Sequence, residues 1–220
     1  MKLLAVLACL VSASLGLFVL RDLAADIASA ERAVNLFNTQ VESLLNRIST
    51  LESELNNDVT NTCTTILSNL AQINVTNYDE IENLLGSSKN QSDVAISGLK
   101  FNLEQTILLL QIINGNLAND LPSLGANVES LKAYISTGDS IYSSLFAQLQ
   151  DSTVTIEQAI TAGVGDLQGP EVTTIFVRWT HVKDVILNQR VLTDNVKLVY
   201  DTRGENAVNA LDIVVAQVPQ

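Results

Sequence analysis

Apolar residues recur at alternating intervals of three and four through Leu20, Leu23, Ile27, Ala30, Val34, Phe37, Val41, Leu44, Ile48, Leu51 and Leu55. That alternation averages 3.5 residues, the repeat of a helix with one face against another helix. Beyond Leu55 the steps are four to Val59 and four to Cys63, then three to Ile66, four to Leu70 and three to Ile73. Two fours in succession form a stutter, which unwinds a coiled coil locally without ending the helix. No Gly or Pro interrupts residues 22–83. The pattern therefore predicts one helix from Leu20 to Ile73, roughly 80 Å long at 1.5 Å per residue.

The candidate helix-packing stripe is Val34, Phe37, Val41, Leu44, Ile48, Leu51 and Leu55. Branched residues at one seam position and mostly Leu at the other suit a parallel dimer. Leu45 widens the stripe beyond a two-stranded seam, which favours packing against later helices of the same chain.

Those later helices follow a loop expected over residues 84–93, centred on Gly86-Ser87-Ser88-Lys89-Asn90. The next carries Ile96, Leu99, Leu103, Ile107, Leu110, Ile113 and Leu117. Its stretch from Thr106 to Ile113 is apolar nearly all round, which predicts burial on several sides. Pro122 kinks the chain or starts a new helix. The third helix runs from Leu124 through Ile160 and ends in Gly163 to Pro170, with Pro170 opening the fourth. Asp201 to Asn206 reads as a turn before a short last helix, Ala207 to Val218, whose Ile213-Val214-Val215 run also suits a strand without an evident partner. The fold class expected is all-α: an elongated bundle of about four long antiparallel helices plus a short C-terminal helix, with coiled-coil character in the first. Residues 17–220 are expected to form a single domain, divided into the first helix (17–83), the loop (84–93) and the remaining helices (94–220).

The first sixteen residues read as a signal peptide. Lys2 is the charged start, Leu3 to Val11 the apolar core, and Ser14 and Gly16 the small residues for cleavage. The uncharged run continues to Leu20, at the lower edge of a membrane-spanning length. The small-residue motif interrupting it favours cleavage over anchoring, so the chain is expected to be secreted, with no stable membrane span after cleavage. Two glycosylation tripeptides agree with that route, Asn74-Val75-Thr76 and Asn90-Gln91-Ser92, and both fall in the loop-like stretch from Asn74 to Asp93 that separates the first two long helices. Cys9 leaves with the leader, and Cys63 alone cannot build an internal disulfide. It is either an interchain disulfide tying a parallel dimer or a small buried hydrophobe.

Charge narrows the partners. The formal net charge is -12, with 16% charged and 47% hydrophobic residues. Such a balance argues against disorder. No basic residue lies between Arg47 and Lys89 or between Lys132 and Arg178, which argues against a nucleic-acid groove and against docking on an anionic membrane. The single His181 supplies neither a zinc set nor a Ser-His-Asp arrangement. Asp79, Glu80 and Glu82 read as a solvated helix start, and neither they nor Glu52, Glu54 and Asp58 have the spacing of a calcium loop. No catalytic residue, cofactor or metal is expected. The expected function is that of a secreted, non-enzymatic structural or interaction protein, pairing with itself or another helical protein. The alternative is an extracellular carrier of lipid or a small apolar ligand.

Overall fold

A computed structural model describes the backbone over residues 2–218 and the side chains of residues 23–136, 144 and 146–218. The expected signal peptide, residues 1–16, lies outside the described side chains. The chain is all-α and almost entirely helical, with no strand among the described residues. In order, the elements are α1 (Lys2–Glu54), a π-turn (Leu55–Val59), α2 (Thr60–Gln72), α3 (Tyr78–Asn119), a 3-10 turn (Leu121–Ser123), α4 (Leu124–Val164), α5 (Pro170–Val199), a second π-turn (Tyr200–Gly204) and α6 (Glu205–Val215).

The stutter has a structural form. Glu54 and Thr60, flanking the first π-turn, keep right-handed helical backbone angles, so α1 continues through it into α2. A step of four overshoots an α-helical turn, and two such steps would rotate the seam off the core. A turn closed by i→i+5 bonds takes up more residues, so Leu55 and Val59 both stay buried. The Thr60 hydroxyl donates to the Leu55 carbonyl at 3.4 Å. After the π-turn it is Thr62, not Cys63, that occupies the buried position, followed by Ile66 and Leu70. Beyond the π-turn an ordinary step of three resumes, from Val59 to Thr62, and leaves Cys63 half-buried beside the seam.

The same device corrects a second expectation. Asp201 to Asn206 is not a turn between helices, because α5 runs on through the π-turn into α6. Val196, Tyr200 and Gly204 are buried at steps of four across it, followed by Ala207, Leu211 and Val214. Ile213 to Val215 is therefore helix. Gly204 has an ordinary helical φ of -63°. It is small because a Cβ there would lie 2.9 Å from Ile135 Cδ1 and 3.2 Å from Phe37 Cζ.

The loop expected over residues 84–93 is also helix, the middle of α3. Gly86 is exposed with open space around it and costs roughly 1 kcal/mol relative to Ala. Against that, Ile81, Leu85, Ser88, Ser92, Ala95, Ile96 and Leu99 are buried at helical spacing through the segment. Two serines hold seam positions, so the apolar pattern fades there while the burial does not. Further along α3, Leu108 and Ile112 are about half exposed, so the Thr106 to Ile113 stretch is buried on one side rather than several.

The chain divides into two compact units. Unit one comprises residues 1–40, 106–135 and 199–220. In it Phe37 meets Tyr200 edge-to-face, with ring centroids 5.6 Å apart and planes at 81°. The Tyr200 and Thr106 hydroxyls share a buried hydrogen bond of 2.9 Å. Lys132 bridges to Asp212 at 3.0 Å and Gln217 donates to Asp26 at 2.7 Å. Unit two comprises residues 41–105 and 136–198. Here α3 and α4 run in opposite directions, joined from Asn77 to the Ala159 carbonyl (2.9 Å) and from Ser88 to Ser152 (3.1 Å). Gly163 makes the first junction possible, since a Cβ there would lie 2.2 Å from Asn77 Oδ1.

Candidate functional site

All seven stripe residues are buried by the chain itself, none more than 6% exposed. Each Leu or Ile so buried contributes about 1.5–3 kcal/mol relative to leaving it in water. The stripe is thus filled within one chain. It holds the helices together and offers no open surface to a second copy.

Cys63 is placed by α2 on the wall of a cavity of about 10 Å³ in unit two, shared with Leu85, Ser88, Ser92, Trp179 and Ile186. Burial pushes its thiol from 9.0 up to about 11, with nearby Lys89 offsetting part of the rise. The thiolate is the reactive form, and here it is suppressed. Alkylation of native Cys63 at pH 8 is therefore expected to run about a hundredfold slower than in the unfolded chain, measured by trapping with iodoacetamide with and without urea. Equal rates would show that the thiol is open. The sign for stability follows from proton linkage. Between pH 9.0 and about 11 the unfolded thiol loses its proton and the folded one keeps it. The favourable contribution is complete below that window and is lost as the pH rises through it.

Ionisable side chains form surface pairs. Lys100 meets Glu52 at 2.7 Å, Lys183 meets Glu157 at 2.8 Å, and His181 meets Asp58 on the first π-turn at 2.8 Å. The Lys183 hydrogen bond holds the Glu157 carboxyl below its usual range. Trp179 adds a minor contribution, although its indole N–H makes no hydrogen bond of normal geometry. Exposed pairs of this kind contribute little to stability, because water screens them and ordering two long side chains costs entropy. Asp79 and Glu80 sit in the first turn of α3, where acids complement the helix dipole. Among the described residues no group of three or more His, Cys, Asp or Glu is arranged to hold a metal ion. Among the residues whose side chains are described, no helix is long and apolar enough to cross a membrane.

The two glycosylation tripeptides occupy different surroundings. Asn74 is exposed in the turn between α2 and α3, with φ at 54°. Asn90 is exposed on the helical backbone of α3.

What the sequence reading missed is a second apolar pattern facing outward. On α5, Val177, Val191 and Leu198 are 63%, 54% and 60% exposed. Their spacing is in multiples of seven, with exposed Asp184 at the intervening position. In the same unit, Val94 and Phe101 lie seven apart on α3, 66% and 60% exposed. Seven residues are nearly two helical turns, so each set shares a face. The signal was present in the sequence, offset from the stronger buried repeat. No family model, curated protein or solved structure matches the chain.

Proposed function

We propose that this is a secreted, non-enzymatic helical protein, an antiparallel bundle of long helices with a short C-terminal helix, that acts by packing its outward helix faces against another helical chain or a second copy. The observation that carries this reading is the heptad-spaced, exposed Val177, Val191 and Leu198 on α5. Scattered exposed apolar residues need no explanation, but a row sharing one helix face matches what a partner helix buries. The stripe of α1 supports the same reading by its saturation: with that face filled internally, association must use another.

Light scattering of the secreted, deglycosylated protein tests it. The expected mass exceeds that of one chain at tens of micromolar, falls to one chain in Val191→Glu/Leu198→Glu, and is unchanged by reductant or by Cys63→Ser. A single-chain mass throughout would remove self-packing. A stoichiometric lipid extracted from the purified protein would overturn the packing reading in favour of a carrier.

A further inference from the structure

We propose that Asn74 is the glycosylated residue and that Asn90, although it carries the same tripeptide signal, is not. This rests on the secretory reading above. The tripeptide is read as a unit, the asparagine amide together with the hydroxyl two residues on. At 74–76 the chain has left α2 and adopts φ of 54° at Asn74, a left-handed conformation that Asn tolerates better than most residues. Val75 turns inward and is 9% exposed, while Asn74 and Thr76 are both exposed. Amide and hydroxyl are presented together at a helix-to-helix turn.

At 90–92 the same signal lies within the continuous helix α3. Residues two apart on a helix do not share a face. Asn90 points outward, and Ser92 is 0% exposed on the cavity wall beside Cys63 and Trp179. On the helix the Asn90 amide and the Ser92 hydroxyl point to different sides, so an enzyme that reaches the one does not meet the other. Helix formation takes about a microsecond, whereas synthesis delivers roughly 5–20 residues per second, so the helical geometry is sampled long before a transferase must choose.

The transfer needs a lipid-linked oligosaccharyl pyrophosphate as donor. A bond forms between Asn74 Nδ2 and the anomeric carbon of the sugar. The bond from that carbon to the pyrophosphate oxygen breaks, the pyrophosphate leaves with the electron pair, and one amide proton passes to base. Nothing is oxidised or reduced.

The full chain translated with endoplasmic-reticulum microsomes tests the proposal, with protease protection reporting translocation and an endoglycosidase mobility shift reporting the number of glycans. The expected product is protease-protected with one glycan, which is lost in Asn74→Gln and in Thr76→Ala and retained in Asn90→Gln. Two glycans, one glycan lost in Asn90→Gln, or a protected chain without glycan would overturn the assignment itself. A chain left open to protease would overturn it by removing the secretory reading, and the protection assay separates that failure from the others.

Discussion

Replacing Phe37 by alanine is expected to cost about 3–5 kcal/mol of stability, the range for truncating a buried aromatic ring, and to cost the same at every protein concentration. Phe37 is 0% exposed. Its ring meets Tyr200 edge-to-face, a geometry that adds about 0.5–1.5 kcal/mol beyond area burial. Its Cζ also closes on the second π-turn, 3.2 Å from where a Gly204 Cβ would stand. Truncation therefore opens a void between α1 and the π-turn that surrounding groups fill only partly. These neighbours belong to the same chain, which is why concentration should not matter. If Phe37 packed against a second copy, the cost of the truncation would itself change with concentration by mass action. Urea denaturation followed by far-ultraviolet circular dichroism, at concentrations a hundredfold apart, distinguishes the two. A loss below about 1 kcal/mol, well outside the range for an enclosed ring, would show that the site is loose.

How far the fold could be read from the sequence depended on which residues sit on the seam. Across Val34 to Leu55 every seam position is a large apolar residue, and the repeat alone identifies the buried face. Through 81–99 the seam passes over Ser88 and Ser92, and serine beside Gly86 has the composition of a loop. Burial is decided there by what packs opposite: Ser88 bonds to Ser152 on α4, sixty-four residues away. No local pattern carries that information. At 59–63 the ambiguity was between two adjacent residues. Counting in fours selects Cys63, the more hydrophobic of the pair, but the π-turn resets the count and Thr62 turns inward. The turn expected at Asp201 to Asn206 failed for a related reason, since Gly204 serves close packing against Ile135 and Phe37 rather than a break in the helix. The outward row on α5 was hidden differently. Its members are offset from Ile175, Trp179 and Val182, which supply the stronger periodic signal of the same helix.

Trp179→Ala is expected to lower stability by about 3–5 kcal/mol and to create a site that an apolar probe can enter. Trp179 is 1% exposed and closes the small cavity of unit two against Leu55, Val59, Ile156, Val182 and Ile186. The wild-type space is about 10 Å³, near the minimum for a single water molecule. Removing the indole joins its volume to that space, and the wall so exposed is mainly aliphatic. Enclosed apolar cavities of about 150 Å³ stay dry and take up benzene. Benzene should therefore raise the thermal midpoint of the variant by binding its folded state and leave the wild-type midpoint unchanged. The comparison also bears on function. A helical carrier holds its apolar cargo by opening, so a wild-type midpoint that rises with benzene would mean that the bundle parts at this layer without mutation, and would favour the carrier reading. An unmoved wild type beside a responsive variant would mean that the interior of unit two is closed by Trp179. Apolar recognition would then fall to the outward faces of the helices.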